Sequence, residues 1–479
     1  MNNTENARPR LKELAVLAIA ATIALQLFTF GLNYPPKYRV RGDAYEYLSI
    51  AYQFDGFSSV LGYAGKRTVG FPLFEFMVRN ALTMFASNTT VLQWVNAICF
   101  TLLITHIVTA WFFSVWVRRT NLIKSENGAF FLFIFLATYP ALIGHTTSPL
   151  TDTLAIDLVL CAIISIEKSF NAKSIYRASL FSGIAALFFG FSILVRPGSL
   201  LGIAVALATG GVISLFSERR KMIVIGGTVL GCVVILAPFC SNCAQKYGSV
   251  CLQSPQTVNF VMSAQLGLRG ARTLWGKGSL VPGGGSILPD EIMFTNYYRR
   301  CHLESIVGID KSSLTGCLFS RPLSIPAYTI KKWIGLFDHF RFTPYLEEDT
   351  PFWLRWLSRT YDSLSWIGLA LFFWSLLQAS KRQNRSNIKE LVTNNITPVL
   401  LVVYSVVMLA QHTVLHIEDR YGFPILPLCA TMLVIYGEKS IRAYRSFGWR
   451  SIGPVAVYSV MAWALFVTQI IIWDRSPFY

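Results

Sequence analysis

Charge is what this sequence has least of. Of its 479 residues only 14% are Asp, Glu, Lys or Arg, where a soluble domain carries roughly a quarter. A chain so poor in charge cannot coat a globular surface with ionic groups, and a conventional soluble enzyme is excluded. Its motifs are as telling by absence: there is no phosphate-binding GxxxxGK[ST] loop, no GxGxxG fingerprint, no second CxxC and no repeat of solenoid period. Cytosolic nucleotides are therefore not expected as substrates. With 33 Gly and 20 Pro scattered along the chain, it is neither collagen-like nor of low complexity, and its hydrophobicity excludes intrinsic disorder.

What is present is apolar: 53% hydrophobic and 14% aromatic residues. These need a solvent, and it is lipid. The formal net charge is +17, from 42 Lys and Arg against 25 Asp and Glu. Because the basic residues sit between apolar stretches, topology and phospholipid account for the excess, and no nucleic-acid partner is expected.

Apolar runs that can cross about 30 Å of hydrocarbon lie near 13–32, 93–116, 128–146, 149–166, 178–195, 199–216, 222–240, 362–379, 397–413, 423–437 and 454–473. The fold class expected is an all-α polytopic membrane protein with about 11 transmembrane helices. Basic clusters such as Arg118/Arg119/Lys124, Lys168/Lys173/Arg177, Arg219/Arg220/Lys221 and Lys439/Arg442/Arg445/Arg450 occupy every second loop. The positive-inside rule then places the amino terminus in the cytoplasm and two long loops, about 33–92 and 241–361, outside. The expected organisation is a transmembrane module over 1–240, an outer region over 241–361 and carboxyl-terminal helices over 362–479. The first run, flanked by basic residues but without a small-residue cleavage site, reads as a retained anchor.

Segment 71–86 reads as a helix along the interface, with Glu75 and Arg79 one turn apart. The stretch RPLSIPAYTIKKWIGLFDHFRF, with Lys331, Lys332 and Trp333, suits a second helix at the headgroups. Cys240, Cys243, Cys251, Cys301 and Cys317 fall in or beside the second outer loop, where one or two disulfides are expected with open connectivity.

Acids and cations recur at the outer ends of these helices. In YRVRGDAYEYLSIAYQF, Asp43 and Glu46 are spaced i, i+3 and share a helical face, with Arg39, Arg41, Lys66 and Arg67 near in sequence. Such a set supplies either a general base beside a phosphate-binding cluster or a solvated ion-paired helix. Asp152 in HTTSPLTDTLAIDLVL is either a helix cap or a site acid, and Asp157 follows at membrane depth, where carboxylates tend to line functional cavities. Arg196, before the helix-breaking Pro197-Gly198, either grips a phosphate or snorkels. HTVLHIEDRYGFPILP brings Arg420 and Tyr421, and its His412, His416 and Glu418 are candidate metal ligands at i, i+4 spacing. His339 in the second outer loop is a conceivable substrate contact without a spacing rule behind it.

Taken together, GDAYEYLSIA, the Arg-x-x-Gly-Phe-Pro stretch from Arg67 to Pro72, SPLTDTL, LVRPGSL and EDRYGFPILP resemble, in that order, the GT-C superfamily of lipid-phosphate-sugar-dependent glycosyltransferases. The likeness is to dolichyl-phosphate-mannose protein mannosyltransferases and bacterial lipid A aminoarabinose transferases. It implies a sugar donor on a polyprenyl phosphate and a catalytic aspartate in the first outer loop, which falls on Asp43. Many members carry an adjacent Asp-Glu pair; here Ala44 follows Asp43, and the next acid is Glu46. On this reading Asp43, Asp152 and Glu46 are the catalytic acids. Lys66, Arg67, Arg196, Arg420 and Tyr421 bind the donor phosphate, and the acceptor is a glycan, glycolipid or protein hydroxyl at the outer face of a plasma membrane. Some members bind a divalent metal, so a divalent metal ion is a possible cofactor here, and no other is implied. The alternatives are a polymerase or ligase using a polyprenyl-diphosphate donor, and a flippase or transporter of lipid-linked sugar.

Overall fold

The computed structural model describes residues 7–35, 39–85, 89–255, 272–275, 285–288, 325–339, 342, 350–381, 396–414, 419–448 and 452–474. Within them the first part of the chain forms α1 (Ala7–Leu32), α2 (Asp43–Tyr52), α3 (Phe57–Leu61), α4 (Gly70–Phe85) and α5 (Val91–Arg119). Next come α6 (Glu126–Ala137), α7 (Pro140–Thr146), α8 (Thr151–Phe170), α9 (Ile175–Val195), α10 (Ser199–Leu215) and α11 (Arg219–Tyr247). A short antiparallel hairpin, β1 (Arg272–Trp275) with β2 (Gly285–Leu288), precedes α12 (Ile325–Gly335) and α13 (Phe352–Lys381). The last part holds α14 (Ile396–Val414), a 3-10 turn (Asp419–Ile425), α15 (Leu426–Phe447) and α16 (Gly453–Asp474).

All the apolar runs of the sequence lie on these helices. Among the described residues, seven stretches are long and apolar enough to cross a membrane, or eight if α6 and α7, bent by 46° at their junction, count as one span. That is fewer than the eleven expected. Three of the eleven do not qualify: α8, which is interrupted by Asp152, Asp157, Glu167 and Lys168, α10, which has only 17 residues, and α13. Large apolar side chains such as Phe112, Leu187, Val233 and Trp463 are exposed on the helix exteriors, as a lipid-facing surface requires. The chain is a multi-pass membrane protein.

Local chemistry fixes the helix ends. Thr90 caps α5 reciprocally with Gln93, and Arg118 and Arg119 close its far end, where the helix dipole favours cations. The break between α6 and α7 falls at Tyr139, because the residue before a proline is driven out of the α region, and Pro140 can open the next helix. By the same rule α9 stops at Val195: Arg196, ahead of Pro197, is extended at φ −142° and ψ 98°.

Two features bring the first outer loop onto the bundle. A Cβ on Gly70 would lie 2.4 Å from the backbone carbon of Leu194, so only glycine allows α4 to abut the end of α9. Beneath the loop, Phe54, Val60, Val69, Phe76, Leu194 and Phe239 form a small apolar cluster of their own.

Several expectations about the outer segments need correction. α4 has 16 residues, about 24 Å, too short to span, but Glu75 does not face the interface. It is fully buried with both carboxyl oxygens unpaired, while Arg79 donates to the carbonyls of Tyr52 and Phe54 at 3.2 and 2.5 Å. The end of α12 is likewise buried rather than at the headgroups. Lys332 and Asp338 are 0% exposed, and His339 hydrogen-bonds to Asp362 at 2.6 Å. Packing accounts for this burial: Gly422 lets the 3-10 turn ride directly on the Leu336 carbonyl and cover that side of the segment, while Pro326 at its start stays exposed. His339 is thus tied to the bundle. Of the cysteines, Cys243 pairs with Cys251 and Cys240 is free; Cys301 and Cys317 lie outside the described residues.

Candidate active site

Gly42, with φ +55°, turns the chain into α2, so that Asp43 and Glu46 occupy its first turn, where the positive helix end favours carboxylates. The adjoining face, with Ala44, Tyr47, Leu48 and Ala51, is buried. Residues 61–65 then return the chain toward this turn. They are held from α11, where Asn242 donates to the Leu61 carbonyl and Lys246 to the Ala64 carbonyl, and Ser254 N–H bonds to Gly65 at 2.8 Å.

The two cations that follow close on the acids. Lys66 Nζ lies 2.5 Å from Glu46 Oε1, and Arg67 Nε 2.6 Å from Glu46 Oε2. Arg67 Nη2 pairs with Asp43 Oδ1, and its guanidinium lies 5.6 Å from the centre of the Tyr47 ring. Burial by itself would raise the Glu46 carboxyl, but the hydrogen bonds from Lys66 and Arg67 outweigh it and hold that group below its ordinary value. Burial would lower Arg67; the Asp43 charge prevails and raises it, so Arg67 is always cationic.

The facing wall comes from three distant segments. Asp152, in the first turn of α8, is 3% exposed, and its Oδ1 pairs with Arg196 Nη1. Arg420, from the 3-10 turn, joins the two walls: its Nη2 is 3.1 Å from Asp43 Oδ2 and its Nη1 3.7 Å from Asp152 Oδ2. Tyr421 forms a shelf beneath the cations, with the Arg196 and Arg420 guanidinium carbons 4.9 and 5.8 Å from its ring centre and His412 stacked on it at 4.8 Å.

The structure therefore brings Asp43, Glu46, Lys66, Arg67, Asp152, Arg196, Arg420 and Tyr421 into one continuous cluster. Asp152 is no cap, since Leu150 takes that position without a side-chain bond. Arg39 is not part of the cluster: it is buried beside Asn96 and the Tyr34 carbonyl. Asp157 does not reach it either, being paired at 3.1 Å with His106, whose other ring nitrogen faces the Leu136 carbonyl. Tyr47 belongs to the cluster as well; its i, i+4 spacing from Asp43, which puts the two on one side of α2, is the sequence signal for it.

His416 and Glu418 lie outside the described residues. Among the described residues no three His, Cys, Asp or Glu side chains group to hold a metal ion. The carboxylates present already face guanidinium groups, which is not a metal cradle.

No protein-family model and no curated protein matches the chain. Among solved structures it is similar to the oligosaccharyltransferase AglB from Archaeoglobus fulgidus in complex with an inhibitory peptide and a dolichol-phosphate. The identity is 12% and the TM-score 0.46, covering 96% of this chain and 56% of that one. It is similar as well to an Archaeoglobus fulgidus oligosaccharyltransferase tethered with an acceptor peptide, at 12% identity and TM-score 0.48, covering 95% and 55%. The chain thus spans a little over half the length of these structures.

Proposed function

We propose that this protein is an integral-membrane glycosyltransferase of GT-C type. It transfers a sugar from a polyprenyl-phosphate donor to a hydroxyl acceptor at the extracytoplasmic face, by direct displacement with inversion. The observation that carries this reading is the joining of Asp43 to Asp152 through Arg420, within a cluster of four cations and three carboxylates. Among the described residues of the cluster, the surplus of one positive charge suits the single negative charge of a phosphodiester. A diphosphate would leave negative charge uncompensated, which favours the monophosphate donor over the polymerase reading.

The chemistry follows from the contacts. A lipid phosphate is a competent leaving group once cations neutralise it, so the task left to the protein is to take the acceptor's proton. Without donor, Asp43 is held by Arg67 and Arg420. When the incoming phosphate engages those guanidinium groups bidentately, the Asp43 oxygens are released to accept the hydroxyl proton as the oxygen attacks the anomeric carbon. Arg196, oriented by Asp152 and the Tyr421 ring, completes the phosphate clamp, and Glu46 fixes Lys66 and Arg67. Support for the outward orientation comes from the Cys243–Cys251 disulfide, at the same end of α11 that holds residues 61–65, because such bonds persist in oxidising compartments.

The test is transfer by purified protein from a polyprenyl-phosphate monosaccharide, with a polyprenyl-diphosphate oligosaccharide as the competing donor. The first is expected to be used, and Asp43→Asn should cut the rate about 10²–10⁴-fold. Use of the diphosphate alone, movement of lipid without covalent product, or a fully active Asp43→Asn protein of normal fold would overturn the reading.

A further inference from the structure

Helices α9 and α11 carry a second feature, at the ends farthest from the acid–guanidinium cluster. In mid-course they pack closely, Gly190 against Ile235 and Gly231 against Ala186, as small residues permit between membrane helices. Toward Ile175 and Arg219 they part and enclose a cleft of about 190 Å³. Among its lining residues Ala178, Ser182 and Val224 are buried and form the floor, while Gly183 and Gly227 are exposed and Arg220 is partly exposed, nearer the mouth. Because α9 is 21 residues long, or about 30 Å at 1.5 Å per residue, the cleft opens into the leaflet opposite Arg196.

The lining dictates the occupant. Ser182 Oγ already bonds to the Val224 carbonyl at 3.0 Å and to Thr228 Oγ1 at 3.1 Å, so the floor offers little to water or to a sugar. A Cβ on Gly183 would meet no atom within 4 Å, so the space beside it is open, and Ile175, Leu180 and Ile223 around it are exposed apolar side chains. That interior suits a hydrocarbon chain. The mouth is different: Arg220 Nη2 donates to the Ala172 carbonyl, but its Nε is buried without a hydrogen-bond partner. Lys173, Arg177 and Arg219 stand exposed at the same end.

We propose that this cleft is a binding site for one anionic glycerophospholipid, with an acyl chain between α9 and α11 and the phosphodiester at Arg220. The part of the Arg220 guanidinium that lines the cleft takes a phosphate oxygen. The surrounding cations select a headgroup with net negative charge over a zwitterion, and the interior excludes free phosphate as the natural ligand because it offers a phosphate nothing.

Native mass spectrometry of the full-length protein in mild detergent, after removal of loose lipid, tests this with added dioleoyl-phosphatidylglycerol, dioleoyl-phosphatidylcholine or inorganic phosphate. Wild type should retain one phosphatidylglycerol, at least about fivefold over phosphatidylcholine, the ratio expected from one basic residue at a membrane surface. Gly183→Phe fills the cleft and should abolish retention, whereas Leu187→Phe, one turn farther on an exposed face, should not. Arg220→Gln should keep a bound lipid but weaken the headgroup preference, and replacing Lys173, Arg177 and Arg219 by Gln as well should abolish it. A melting curve without lipid shows that Gly183→Phe is folded, and Gly183→Leu serves if it is not. Equal retention by wild type and the filled variant, loss with Leu187→Phe, unchanged preference in Arg220→Gln, or stabilisation by inorganic phosphate equal to that by the lipid would each overturn the proposal.

Discussion

Arg420 separates a structural ion-pair network from a reacting one. Replacing it with Gln removes the 3.1 Å contact to Asp43 and the 3.7 Å contact to Asp152. Neither carboxylate is then stranded, since Arg67 still pairs with Asp43 and Arg196 with Asp152. The folding cost is therefore that of a lost charged hydrogen bond, about 1.5–3 kcal/mol, and not the 3–5 kcal/mol of an orphaned buried charge. The transition state loses one arm of its phosphate clamp, comparable to losing an oxyanion donor, which costs roughly 10²–10³ in rate or about 2.7–4 kcal/mol. Arg420→Lys keeps the charge but cannot reach both acids in a fork, and about a tenfold loss is expected. The assay is donor turnover normalised to folded protein, with melting curves taken at one scan rate. A rate that falls only in step with the folded fraction would refute the role of Arg420 in phosphate binding and leave it a structural tie.

Other outcomes follow from single residues. Glu75 is buried with no partner, and burial raises its carboxyl well above the usual range. Stability should then decline as pH rises through and above the unfolded value of about 4.3, and Glu75→Met should abolish that decline and raise the melting point at neutral pH. Glu46 has the opposite sign: its folded value is lowered, so the stability it contributes is present above the unfolded value and lost as pH falls through the folded one. Glu46→Gln should flatten that acid limb. Gly70→Val would drive a side chain into the Leu194 backbone, costing about 1–3 kcal/mol as an overpacked contact and displacing Arg67, so activity should fall more than stability; a fully active, equally stable variant would show that α4 can pull away at no cost.

The solvent of this protein, its helical class and the end of α9 were legible in the sequence. Run length against bilayer thickness gives the helices. Pro197 stops α9 and leaves Arg196 extended at its end, and the i, i+3 spacing puts Asp43 and Glu46 on one face. These are local rules, each resolved within a few residues. Which residues meet is not local. Arg39 and Arg67 both lie near Asp43 in the chain, yet Arg39 is drawn into the core by Asn96 and the Tyr34 carbonyl, while Arg67 is carried to Asp43 by Gly70 against Leu194. The partner of Asp43 from position 420 depends on the 3-10 turn riding on Leu336, a contact between segments more than eighty residues apart in the chain. Burial of Glu75, Lys332 and His339 was decided the same way: an amphipathic pattern sets which side chains share a face, but only the packing of other helices against that face decides whether lipid, water or protein covers it.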